Sequence, residues 1–173
     1  NKSHLIRVPI RLGQDAFTVG EISEESAERM VKAMKAFKLL MDVYQVEKYA
    51  ACATSAMREA YNSKDLVEEI VKKAGIHIDI IEGKTEAAII ANSDLQSYIK
   101  KDGHYLYVDV GGGSTEFTLF SNGKQVVSKS FKNGTVRLLN NMVTDTVWHE
   151  IEKWIKTHTE NLDNVEIIGS GGN

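Results

Sequence analysis

Residues 107–117 read YVDVGGGSTEF. An apolar, β-prone run ends in three consecutive glycines, and a Ser, a Thr and a Glu come directly after them. The element after the glycines decides what they are for. In a P-loop or a dinucleotide fingerprint they stand between a strand and a helix whose N-terminus meets the phosphate. Here TEFTLF (115–120) alternates polar and apolar as a strand does. Ser121-Asn122-Gly123-Lys124 then supplies an Asn-Gly hairpin turn, and QVVSKSF (125–131) returns. GGGSTE also lacks the Lys-Ser/Thr ending of a P-loop and the GxGxxG spacing. The expectation is strand, glycine turn, strand.

Such a turn still suits an anion. Successive backbone N–H groups in a tight glycine turn converge into a nest, and the missing Cβ atoms let a phosphate come close. Asp109 and Glu116 bracket the turn, and both carboxylates are placed to reach a divalent cation, directly or through water. The plainer alternative is that Asp109 steadies the turn and Glu116 is a solvated strand residue.

Upstream, LIRVPIRLG and DAFTVG read as two early strands or a bent ribbon. Ser23 is a good N-cap with Ile22 before it, and Ala27, Met30, Val31, Met34, Phe37 and Met41 recur at helical spacing. YAACAT (49–54) reads as a buried strand with Cys52 as a small core residue. Asn62 or Ser63 caps a helix that Gly75 stops, IHIDII (76–81) is a strand, and residues 85–99 are helical. Downstream of the hairpin come helices over 136–143 and 146–158 and a strand over 165–169. Trp148 and Trp154 are expected to differ in burial, and Arg137 is given a helix-surface role. The class is α/β. Lys100-Lys101-Asp102-Gly103 is the expected boundary between a first lobe, 1–101, and a second, 102–173.

Other strand ends carry related chemistry, where open α/β sheets bind ligands. Thr54, Ser55 and Arg58 follow the strand near Ala53, and an Arg there can hold a phosphate bidentately. Its alternative is a surface ion pair with Glu59. Glu86, at a helix start after the next strand, is either a macrodipole partner or a general base. Gly169-Ser170-Gly171-Gly172 closes the last strand.

Composition limits the partners. The chain has 173 residues, 42% hydrophobic and 26% charged, with a net charge of -3. That balance gives no electrostatic case for nucleic acid or an anionic membrane. No apolar run approaches the roughly 20 residues of a membrane span, and the start lacks the layout of a secretory signal. Cys52 is the only cysteine, so no internal disulfide forms, and a cytoplasmic setting is expected.

ATSAMREAYN (53–62), EGKTEAA (82–88), YVDVGGGSTEFTLF (107–120), NGTVRLLN (133–140) and IGSGGN (168–173) together resemble the exopolyphosphatase and guanosine pentaphosphate phosphatase (Ppx/GppA) family. The resemblance runs through nearly the whole chain in order. It implies an actin-like (ribonuclease H-like) fold of two lobes around a phosphate-binding cleft. It further implies hydrolysis of terminal phosphoanhydride bonds in polyphosphate or guanosine pentaphosphate with Mg²⁺. By position, Glu86 matches the catalytic base, Arg58 the phosphate-binding Arg, and Asp109 and Glu116 the acids around the metal and the attacking water. Gly111, Gly112, Gly113 and Ser114 match the second phosphate loop, with Thr54 and Ser55 beside Arg58 as further phosphate contacts. A homodimer is also implied. The family's first phosphate loop has no counterpart here, so the chain is expected to begin and end inside the family pattern. Two rivals remain: a non-catalytic phosphate- or nucleotide-sensing module, and an actin-fold kinase using ATP.

Overall fold

A computed structural model describes residues 5–91 and 99–171. The chain divides into two compact units, Asn1–Ile80 and Ile81–Asn173. This division falls earlier than the lobe boundary expected after residue 101, because the helix following Ile81 packs on strands of the second unit.

The first unit is mostly helical. α1 (Leu12–Thr18) replaces the expected early strands and buries the adjacent Ala16 and Phe17. Adjacent apolar residues cannot share one face of a strand, whereas a helix can bury both. Residues 5–10 form no regular element. Leu5 is 98% exposed, and Pro9 has no N–H to give a ladder; its carbonyl instead accepts from Arg29 Nη2 at 2.9 Å.

α2 (Glu24–Val43) starts as expected at Ser23, whose Oγ accepts from the Ser26 amide. Asp15 closes the junction: Oδ2 accepts from Ser23 Oγ at 2.6 Å and from Ser26 Oγ at 2.7 Å. α4 (Ser63–Ala74) also matches, ending at Gly75 in the left-handed region. Asn62 does not cap it with its side chain; its amide instead clamps both the N–H and C=O of Ile22.

β1 (Cys52–Ala53) and β2 (Asp79–Ile80) pair in parallel but hold only two residues each, far shorter than expected. Cys52 is exposed, contrary to the core role expected of it. α3 (Ser55–Glu59) starts directly after β1 and packs on α1. On α2 only Val31 and Ala33 are buried. Met30, Met34, Phe37 and Met41 line an apolar cavity of about 330 Å³ with Tyr49, Ile76 and Ile78.

The second unit is a four-stranded sheet of order β5-β4-β3-β6. Its strands are β3 (His104–Val110), β4 (Thr115–Ser121), β5 (Lys124–Phe131) and β6 (Val165–Gly171). β3, β4 and β5 run antiparallel, while β6 lies parallel to β3. The expected hairpin forms, with Asn122 and Gly123 both at positive φ. That is the conformation a two-residue turn needs to match strand twist.

Strand alternation sorts the residues by face. Leu106, Phe117 and Phe131 face α7 (Asp145–Thr159), which supplies Ile151 and Trp154 to the core. Phe117, Phe131 and Trp154 meet edge-to-face, with centroids 5.5 to 6.2 Å apart. Trp154 is buried and Trp148 exposed, as expected. The opposite face carries Tyr105, Tyr107 and Phe120. α5 (Gly83–Ala91) lies on β5 and β4, and α6 (Thr135–Leu139) follows β5. Residues 92–98, part of the expected helix over 85–99, lie outside the described residues. Among the described residues, no helix is long and apolar enough to cross a membrane.

Candidate functional site

The register of the sheet sets one polar row across all four strands. Asp109 pairs with Glu116, Glu116 with Ser130, and Asp109 with Ser170. Directly paired residues share a face, so Ser130, Glu116, Asp109 and Ser170 stand side by side at the end of the sheet that bears the glycine turn. Tyr105, Tyr107 and Phe120 occupy the same face further back. Thr118 and Ser128, hydrogen-bonded to each other, lie between that row and Phe120.

Glu116 is 3% exposed, so its carboxylate must be held by donors rather than by water. Ser114 Oγ donates to Oε1 at 2.6 Å and Ser130 Oγ to the same oxygen at 2.8 Å. Among the described residues no donor reaches Oε2. Glu116 is therefore not the solvated strand residue of the plainer reading. Asp109 Oδ1 accepts from Ser170 Oγ at 3.0 Å. Burial raises the Tyr107 hydroxyl above its ordinary pKa, and the Asp109 charge adds to that, while a hydrogen bond with Ser170 opposes it.

The turn itself is built without a left-handed glycine. None of Gly111, Gly112 and Gly113 is among the positive-φ glycines, which are Gly20, Gly75, Gly123 and Gly171. Successive amides form an anion-binding concavity either by alternating handedness or in a turn conformation, and this is a turn. The glycine carbonyls are taken up by the start of α6. The Thr135 amide donates to Gly111 O at 2.9 Å and the Val136 amide to Gly112 O at 2.8 Å. Arg137 Nε donates to Gly113 O at 2.8 Å. Gly111 N donates to Ser114 O. Among the described residues, the amides of Gly112, Gly113 and Ser114 donate to no other group.

Glycine is required at two flanking positions for close approach. A Cβ on Gly134 would lie 2.4 Å from the carbonyl carbon and oxygen of Gly112. A Cβ on Gly171, at φ +80, would lie 2.2 Å from Val110 O and 2.9 Å from Asp109 Oδ1.

Glu86 sits in the first turn of α5, its amide bonded to Glu82 O, with Oε2 buried. A Cβ on Gly83, at the start of that helix, would lie 3.2 Å from Ser130 Cβ, so α5 begins against the polar row. Glu86, Asp109, Glu116 and the glycine turn all belong to the second unit, whereas Thr54, Ser55 and Arg58 belong to the first. There Thr54 precedes α3 without a side-chain capping bond, Ser55 is buried and Arg58 is in the last turn.

Three residues have roles the sequence did not assign. Arg137, expected on the surface, is 8% exposed and holds the turn. Ser130 supports Glu116. Gly134 brings α6 against the turn.

The donor set fits a hard divalent cation. Mg²⁺ typically takes one or two carboxylates and keeps waters and substrate phosphates for its other positions. Asp109 and Glu116 supply such a pair, paired across β3 and β4. Among the described residues, no group of three or more His, Cys, Asp or Glu side chains gathers as a full protein cage.

Comparison with known proteins bears on the whole chain. Residues 4–164 match the family model described as the Ppx/GppA phosphatase family. A bifunctional 3-dehydroquinate synthase/phosphatase of Fusobacterium nucleatum is 32% identical over 94% of this chain and 27% of its own length. Exopolyphosphatase 1 of Mycobacterium tuberculosis is 24% identical over 80% of this chain and 40% of its own. The crystal structure of an exopolyphosphatase from Cytophaga hutchinsonii superposes with a TM-score of 0.82 at 28% identity, covering 94% of this chain and 56% of that one. The chain thus spans only part of the length of each. The α/β architecture is the actin-like one that the motifs implied.

Proposed function

This chain belongs to the Ppx/GppA phosphatase family, and on that premise we propose that it hydrolyses terminal phosphoanhydride bonds, with inorganic polyphosphate as the first substrate class. The observation that carries the reading is the Asp109–Glu116 pair, set side by side across β3 and β4 directly below the glycine turn. Two carboxylates beneath a row of backbone donors suit a metal-bound polyanion and little else. The relatives named as exopolyphosphatases support polyphosphate. Guanosine pentaphosphate presents the same terminal bond and is the second substrate to try.

In this reading the amides of Gly112, Gly113 and Ser114 donate to phosphoryl oxygens, and Arg58 binds a phosphate by the bidentate geometry its guanidinium allows. Asp109 and Glu116 would hold the cation, which when bound neutralises phosphoryl charge. Glu86 accepts the proton of the attacking water. The water oxygen forms the new bond to the terminal phosphorus, the anhydride P–O bond breaks, and the shortened chain leaves with the electron pair. Catalysis then rests on positioning and charge rather than on a covalent intermediate. A cytoplasmic location and a homodimer belong to the same proposal.

The test is orthophosphate release from polyphosphate and from guanosine pentaphosphate with Mg²⁺. The full chain is compared with Glu86→Gln. General-base catalysis contributes about 10²- to 10⁴-fold, so Glu86→Gln should lose at least about a hundredfold in kcat while still binding substrate. Release that survives the substitution unchanged would remove Glu86 from the mechanism.

A further inference from the structure

We propose that Arg137 is a positioning residue for phosphate binding, one that acts through the Gly113 carbonyl and does not itself touch the substrate. The inference rests on the hydrolase reading above. A glycine turn can offer amides to an anion only if its carbonyls point elsewhere, because a carbonyl dipole facing a phosphoryl oxygen repels it. Three consecutive carbonyls, those of Gly111, Gly112 and Gly113, are drawn to one side. Two are held by amides of α6, which any sequence in that helix would supply.

The third is different, because its donor is a side chain. Arg137 Nε donates to Gly113 O at 2.8 Å from an 8% exposed position. A buried guanidinium is costly to place unless its donors are used, and a lysine cannot reproduce the fixed Nε–H direction. Gly113 is the last glycine of the triplet, so its carbonyl sets the peptide plane whose N–H belongs to Ser114. Ser114 in turn gives its hydroxyl to Glu116. Arg137 therefore couples the orientation of the anion-binding amides to the carboxylate that would hold the cation.

The experiment compares the wild-type chain with Arg137→Ala and Arg137→Lys, following the Gly112, Gly113 and Ser114 amides by ¹⁵N NMR during titration with tripolyphosphate. Ethylguanidinium, which replaces the atoms Arg137→Ala removes, is then added. Hydrogen bonds from charged groups are individually strong, so Arg137→Ala should raise the tripolyphosphate Kd about tenfold and displace the three amides in the ligand-free protein. Ethylguanidinium should restore both, and Arg137→Lys should resemble the alanine variant. A merely structural role would let ethylguanidinium recover the melting temperature without recovering affinity, and that result overturns the proposal. Unchanged amides or unchanged affinity in a folded Arg137→Ala protein overturns it as well. If tripolyphosphate leaves the wild-type amides unmoved, the hydrolase reading fails first and takes the proposal with it.

Discussion

Glu116 is a buried acid whose role in the proposal is to hold the cation. Two serine hydroxyls hold one carboxylate oxygen, and among the described residues no donor reaches the other. Glu116→Gln keeps an acceptor for both serines while removing the charge. It should weaken Mg²⁺ binding at least about tenfold, since a hard cation is held by oxygen charge, with little change in melting temperature. Isothermal titration with Mg²⁺ in the presence of tripolyphosphate checks this, and equal affinity would assign the cation elsewhere. The placing of Asp109 and Glu116 on either side of the turn is legible in the sequence, because DVGGGSTE brackets the turn with acids. That of Ser130 is not. Counting across the Asn122-Gly123 turn pairs Glu116 with Lys129. A bulge between Leu119 and Phe120 shifts the register by one and brings Ser130 there instead. Lys129 moves to the opposite face, with its ammonium 4.7 Å from the Phe131 ring centroid. Arg137 is hidden for a similar reason: nothing local marks a helix as buried when what buries it lies 24 residues away.

At the scale of elements, strong periodicity and good caps carry through to the fold while short apolar runs do not. α2, α4 and the β4–β5 hairpin carry clear start, stop or turn residues, and they form as expected. α1 is not legible because LIRVPIRLG and DAFTVG are β-prone without a partner strand among the described residues, and propensity yields to packing. The α1–α2 junction has a measurable consequence. Hydrogen bonds from Ser23, then Ser26, lower the Asp15 pKa below its usual 3.8. The folded protein therefore binds a proton less readily than the unfolded chain, and stability rises with pH across that window. The contribution is complete above the unfolded value and is lost as pH falls through the lower, folded one. Asp15→Asn should melt below the wild type at pH 6, and the gap should narrow as pH falls below about 4. A gap that stays constant from pH 6 to pH 3 would contradict the role of the charge.

Across the molecule, the residues of the proposed mechanism are divided between two units. The acids and the glycine turn sit on the second, and Thr54, Ser55 and Arg58 on the first. The expected lobes place Glu86 with Arg58, whereas α5, which carries Glu86, groups by contact with the second unit although its residues precede the charged loop at 100–103. The chain matches its family over residues 4–164 and spans 56% of one solved exopolyphosphatase. Everything proposed for it comes down to one event, the attack of water on a terminal phosphorus. The measurement that tests this most directly is polyphosphate turnover with Mg²⁺ in ¹⁸O-labelled water, with each released orthophosphate weighed by mass spectrometry. The account predicts one labelled oxygen per orthophosphate, and loss of that signal in Glu86→Gln. Label found in the shortened chain and absent from the orthophosphate would place the attack on the penultimate phosphorus and contradict the account, and phosphate recovered only on an added acceptor would mean that the chain is not a hydrolase.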